Sequence, residues 1–280
     1  MAAWLERSAR HELTLCTRRP LGELTMTFGD TSITLRAPAF SDPERAPAVD
    51  WVLVATKAYD CSGAAAWFER LCARRARVAV LQNGVEHRER FRAWLPSERM
   101  VPVMVDCPAE RLSPTQIRQR GPAKMAVADA AAGHEFAALF AGTPVAVEIS
   151  ADFKSALWRK LCVNCAGAIS ALALQPAGVM RSDRIAELAR GLVRECIAVG
   201  RAEGAELDDA LADRVVDGYR SAPIDSVNSL HADRAAHRAT EFDARNGVIV
   251  RLGRSHGIPT PLNEMATVLL EAAQGERERV

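Results

Sequence analysis

A chain of 280 residues has room for one large or two medium domains, each with its own core. Charged residues make up 25% of it but balance to a net +1, which excludes the basic footprint of a nucleic-acid binder. No run approaches the roughly 18 apolar residues of a membrane span, and Glu6, Arg7 and Arg10 interrupt any signal-peptide core. The expectation is therefore a cytoplasmic protein with no membrane and no nucleic-acid partner. Seven cysteines form an odd set without disulfide-scaffold spacing, so they read as reduced thiols. Cys162 and Cys165 spell C-x-x-C, but no second pair or nearby His accompanies them, and core packing is expected rather than a metal.

In chain order, residues 1–12 read as the last turns of a helix, followed by a buried strand at Leu13–Thr17 that stops at Arg18-Arg19. Alternation on either side of Gly29-Asp30 predicts a hairpin of Leu24–Phe28 with Ser32–Leu35. A Pro-rich connection leads to an apolar strand from Trp51 to Thr56, stopped by Lys57. Then come a helix at Ala64–Arg75, a strand at Val78–Leu81, the turn Gln82-Asn83-Gly84, a helix at Glu86–Leu95 and a strand at Met100–Val105. Short strands follow near Ile117–Gln119, Met125–Val127 and Val145–Ile149, with a helix at His134–Phe140. Strands alternating with helices predict a mostly parallel sheet covered on both faces. From Ala151 helical periods dominate, at 151–172, 183–203, 207–219, 241–255 and 262–273, and Glu276–Val280 should fray. The shift near Ser150 sets the expected boundary between domains 1–150 and 151–280.

The 151–172 helix carries the most informative stretch, Trp158-Arg159-Lys160-Leu161-Cys162-Val163-Asn164. Lys160 and Asn164 are four apart and so project from one side, one turn above the other. A cation and an amide on an oily helix are costly to bury without partners; a solvated edge is the plain alternative. Only four lysines (57, 124, 154 and 160) stand among the 36 basic residues. A Lys kept where Arg is the default suggests a need for an ammonium that can release its proton. In open α/β sheets, ligands bind outside the carboxyl ends of strands. Arg18, Lys57 and Asn83 each follow a predicted strand. An Arg pair without an acid after the second strand of a dinucleotide fold suits a ribose 2′-phosphate, hence NADP over NAD. Read singly, Arg18-Arg19 could be a solvated turn and Asn83-Gly84 a simple turn.

Together these positions resemble the ketopantoate reductase (2-dehydropantoate 2-reductase) family. The matching segments are VLVATKAYD (52–60), LQNGVEH (81–87), WRKLCVNC (158–165), NSLHADRAAHRATEFDARNG (228–247) and the tail HGIPTPLNEMATVLLE (256–271). The resemblance implies an α/β, Rossmann-type dinucleotide-binding domain, N-terminally incomplete, followed by an all-α substrate and dimerisation domain. It further implies NADPH-dependent reduction of a 2-oxo acid to a 2-hydroxy acid, here ketopantoate to pantoate for coenzyme A synthesis, with a homodimer formed through the helical domain. Position by position, Lys160 falls on the catalytic lysine. Glu241 falls on a second catalytic position, a glutamate that also contacts the cofactor in the nicotinamide and substrate region, although as a bare feature Thr240-Glu241 could simply begin a helix. Asn164 and Ser229 fall on substrate-binding positions, Lys57 on a cofactor-side one, and Asn83 on one serving cofactor and substrate.

Two departures qualify the resemblance. The family opens with a strand and a G-x-G-x-x-G loop that holds the pyrophosphate at a helix N-terminus. Met1 falls inside the helix that should follow, so roughly 12–16 residues are expected to precede it. The alternative is a lapsed reductase, surviving as a helical dimer or binding protein without cofactor. Second, where many members carry another Asn, this chain has Ala168. A methyl cannot replace an amide's hydrogen bonds, so a different 2-oxo acid is the other alternative.

Overall fold

The computed structural model describes residues 1–73 and 75–274; the terminal segment expected to fray lies outside them. The chain separates into two compact units. The first comprises Met1–Thr56, Asp60–Gln82 and His87–Phe153. The second comprises Lys57–Tyr59, Asn83–Glu86 and the chain from Lys154 onward.

The first unit is α/β. Helix α1 (Ala2–Ser8) buries Ala3, Trp4 and Leu5 and ends where Ala9 turns left-handed at φ 53°. Strand β1 (Leu15–Cys16) is shorter than the predicted run and pairs in parallel with β4 (Ala39–Phe40) in the Pro-rich connection. The predicted hairpin forms from β2 (Leu24–Phe28) and β3 (Thr31–Leu35), with Phe28 opposite Thr31. Gly29 takes φ 53° at the first loop position, a backbone that other residues rarely adopt. The other edge of β2 receives β10 (Gln116–Gln119), which pairs with β9 (Ala109–Ser113), a strand its exposed pattern concealed.

Strands β5 (Trp51–Val54), β6 (Arg77–Val80) and β7 (Met100–Pro102) form the expected parallel sheet. Val78, Ala79 and Val80 are all fully buried. Ala79 packs with Met125 and Phe136 on one face, while Val78 and Val80 meet Phe68 and Phe91 on the other. Burial on both faces explains why this strand reads as an unbroken apolar run. The single strand predicted at Met100–Val105 is instead two. Pro102 has no N–H to donate, and Val103 N–H closes the ladder on Val80 O at 3.1 Å. Beyond it, β8 (Met104–Asp106) pairs antiparallel with β11 (Lys124–Ala128), whose other neighbour is parallel β12 (Ala146–Ser150). The helix predicted at Ala64–Arg75 divides into α2 (Cys61–Ala65) and α3 (Phe68–Leu71). At the break, Trp67 N–H reaches three residues back to Ala64 O, and Trp67 and Phe68 turn into the core. Helices α4 (His87–Phe91) and α5 (Ala131–Leu139) complete the unit.

The second unit is helical, with α6 (Phe153–Ala166), α7 (Ala168–Ala173), α8 (Asp183–Ala202), α9 (Leu211–Ser221), α10 (Ser229–Ala235), α11 (Val248–Ser255) and α12 (Pro261–Ala272). Trp158, Leu161, Cys162, Cys165, Val193 and Cys196 lie in its core, so both thiols of the C-x-x-C pack as apolar groups. The helix predicted over 151–172 breaks at Gly167. There the Tyr219 hydroxyl donates to Val163 O at 3.0 Å and Asn228 Nδ2 donates to Gly167 O at 3.1 Å. A Cβ at residue 167 would sit 2.8 Å from the Tyr219 hydroxyl and 3.0 Å from Asn228 Nδ2, so a larger residue there would displace the two side chains that make these bonds. A π-helical turn, Asp243–Gly247, leads directly into α11. Among the described residues no helix is long and apolar enough to cross a membrane.

A buried polar network ties these helices together. The Glu195 carboxylate on α8 accepts the N–H groups of Leu262 and Asn263, both at 2.9 Å, capping α12 from outside its own chain segment. Asn263 Nδ2 donates to Leu192 O and to Glu195, while its carbonyl accepts from Asn246 Nδ2 at 2.9 Å. Asn246 also reaches Cys165 O at 3.2 Å, which pins the π turn to α6. Asn263→Ala should therefore destabilise the fold by about 2–3 kcal/mol, since it removes three hydrogen bonds that tie α12 to α8 and to the π turn. The check is a lower urea midpoint at unchanged slope.

Candidate functional site

Six of the seven residues singled out in the sequence fall in the helical unit, and four of them are joined by hydrogen bonds. Lys57 and Asn83 arrive on the two short segments, 57–59 and 83–86, that belong to this unit although each follows a β strand in sequence. Glu241 lies just ahead of the π turn and is 6% exposed. Its carboxylate accepts the Ala58 N–H at 2.9 Å and Asn83 Nδ2 at 3.0 Å, with Lys57 Nζ at 3.4 Å. A buried carboxylate needs hydrogen-bond donors in place of its lost water, and these three supply them. Asn83 extends the chain of contacts, because its carbonyl oxygen accepts Asn164 Nδ2 at 3.5 Å.

Asn164 is buried on α6, where Trp158, Leu161 and Cys162 fill the core side of the helix. Lys160 is half-buried one turn earlier. Ser229, the first residue of α10, is exposed, and its hydroxyl accepts Arg245 Nη2 at 2.7 Å. Asn228 fixes that helix start by accepting the His231 N–H at 2.9 Å. Arg18 belongs to the α/β unit. Its guanidinium is 76% exposed and pairs with Asp60 at 3.3 Å, an acid that adjacency in sequence did not reveal.

Three residues of this cluster were not singled out. Asp233 on α10 is 7% exposed and binds Lys57 Nζ at 2.6 Å and Arg238 Nε at 2.9 Å. Burial by itself would lower the Lys57 pKa, but Glu241 and Asp233 outweigh it and raise the value, keeping the ammonium charged. Arg245 is 3% exposed, and Asn246 is fully buried. All three lie within the 228–247 block, yet periodicity cannot show that a charged side chain turns inward. Ala168, at the position where an amide is common, is fully buried among the helical core. Among the described residues no cluster of His, Cys, Asp and Glu could hold a metal ion.

A lysine and an amide one turn apart, linked through a second amide to a buried carboxylate, make a set suited to binding a polar carbonyl compound and moving a proton. Comparison with known proteins agrees with that chemistry. The family described as ketopantoate reductase PanE/ApbA matches residues 1–132, and ketopantoate reductase PanE/ApbA C terminal matches residues 152–274. The 2-dehydropantoate 2-reductase of Caulobacter vibrioides is 49% identical over 273 residues, spanning 98% of this chain and 94% of that protein. The 2-dehydropantoate 2-reductase of Mycobacterium tuberculosis is 42% identical over 275 residues, spanning 98% and 93%. The solved structure of a PanE/ApbA family ketopantoate reductase from Ralstonia eutropha JMP134 superposes with a TM-score of 0.87 at 32% identity, covering 98% of this chain and 93% of that one. Family matches that together span most of the chain, and relatives of this identity and coverage, establish that the chain belongs to the ketopantoate reductase family.

Proposed function

We propose that this protein reduces ketopantoate to pantoate, with NADPH as the hydride donor, and works as a cytoplasmic homodimer. The observation that carries this reading is the continuous link from buried Glu241 through Asn83 to Asn164, one helical turn from Lys160. A bound nicotinamide dinucleotide supplies the hydride. Arg18, Lys57, Asn83 and Glu241 are the residues that would hold it. Arg18 fits a 2′-phosphate, because among the described residues one ion pair engages a guanidinium that is 76% exposed. Asp60 offsets part of that charge, so the preference for NADP rests on the remaining N–H donors.

Negative charge grows on the substrate's carbonyl oxygen as the carbon is reduced. Lys160 stabilises that oxygen and donates the proton that completes the hydroxyl. Asn164 and Asn83 orient the substrate through amide hydrogen bonds, and Ser229 contributes its hydroxyl. Glu241 holds Asn83 in place and, with Lys57 and the Ala58 N–H, keeps this part of the site rigid.

Three measurements test the reading. Lys160→Ala should lower kcat about 10²–10⁴-fold, the usual worth of general-acid catalysis, in a steady-state assay with ketopantoate. Full activity in that variant would remove the assignment. Arg18→Ala should raise KM for NADPH about tenfold or more while leaving KM for NADH unchanged, since a 2′-phosphate contact is worth about 1.5–3 kcal/mol. Lys57→Met should lower thermal stability at neutral pH. Because folding raises the Lys57 pKa, its stabilisation is fully present below the ordinary lysine value of about 10.4 and disappears as pH rises through the folded value. The stability gap between wild type and Lys57→Met should accordingly close in strongly alkaline buffer.

A further inference from the structure

The charges around Glu241 do not balance. Two buried carboxylates, Glu241 and Asp233, are matched by two cations that touch them, Lys57 and Arg238. Arg245 is a third cation, more deeply buried than either, and no carboxylate lies within ion-pair distance of it among the described residues. Its one hydrogen-bond partner among those residues is the Ser229 hydroxyl, and its Nε has none. A guanidinium offers five N–H donors in a planar fork and stays charged near neutrality. Leaving most of that fork unused inside a protein costs far more than a surface arginine would.

The π turn Asp243–Gly247 is pinned through Asn246 to Cys165 O and Asn263, which fixes the backbone that carries Arg245. Burial pulls the guanidinium below its ordinary pKa, and Glu241, Tyr219 and Asp233 oppose that pull from a distance. Ser229, which the guanidinium grips, is itself exposed and so lies where a ligand can arrive.

We infer that Arg245 is the anion-holding residue of this site, taking the carboxylate of the 2-oxo acid on its planar fork together with the Ser229 hydroxyl. The inference rests on the proposed 2-oxo acid reductase reading and deepens it by naming the group that selects acids over neutral carbonyl compounds. A carboxylate placed there would supply the missing negative charge and accept from the unused N–H groups, a bidentate pairing that lysine cannot reproduce.

The test is calorimetric binding of oxamate, a small carboxylate shaped like a 2-oxo acid, and of its neutral counterpart oxamide, with and without NADP. Wild type should bind oxamate at least tenfold more tightly than oxamide. Arg245→Met should lose at least tenfold in oxamate affinity with oxamide unchanged. Without ligand it should melt at the same or a higher temperature, because an unpaired buried charge has gone. Arg245→Lys, which keeps the charge but not the fork, should give an intermediate loss. Undiminished oxamate binding in both variants, or a wild type that does not distinguish the two ligands, overturns the inference. So does an Arg245→Met that is less stable yet binds oxamate normally, since that is the behaviour of a structural arginine. Arg245-dependent oxamate binding without turnover of any 2-oxo acid would keep the inference and remove the reductase reading. Turnover without an Arg245 effect would do the reverse.

Discussion

Glu241 is a carboxylate almost wholly withdrawn from water, and the polar half of the helical unit is arranged around supplying its hydrogen-bond donors. Removing such a group from solvent costs several kcal/mol unless donors replace the lost hydration. The donors are a backbone N–H at Ala58, an amide at Asn83 and the ammonium of Lys57. None comes from the continuous chain beyond Lys154 that supplies the helices. Two segments of three and four residues, 57–59 and 83–86, therefore belong to the helical unit, and this single buried charge gives a physical reason for it.

The same requirement propagates outward. Lys57 cannot neutralise two carboxylates alone, and Arg238 shares Asp233 with it. Asn83 spends its amide on Glu241 and presents its carbonyl to Asn164, which fixes an amide on α6 beside Lys160. The proposed site residues Asn164 and Lys160 thus take their placement from packed helices and buried hydrogen bonds rather than from loose loops, the condition under which orientation would contribute most to rate.

Much of this was legible from local chemistry. The double-sided burial of Val78–Val80 shows as an unbroken apolar run, and the Gly29-Asp30 hairpin shows as alternation around a turn pair. Lys160 and Asn164 share a helix face by spacing alone. Asn83 and Asn164 were marked out by position and spacing and Glu241 only by the family resemblance, and hydrogen bonds join the three. The elements that went unread have local reasons. Strand β9 is mostly exposed and lacks an apolar face, Pro102 splits one strand into two, and Gly167 breaks a helix because two distant side chains claim its turn's carbonyls. Asp233, Arg245 and Asn246 escaped because charged and polar residues in a helical stretch look solvated until their burial is known.

The sequence by itself determined the alternation of strands and helices, the change to an all-helical pattern near residue 150, and the residue types able to bind and protonate a carbonyl compound. Those properties are local: hydrophobic period, turn chemistry and side-chain functional groups act over a few residues. Only the tertiary structure decided that Glu241 would be buried against Ala58 and Asn83, more than 150 residues away, and that Arg245 would face inward without a carboxylate. Both outcomes depend on desolvation and on charge balance among distant segments, quantities that exist only once the chain has folded.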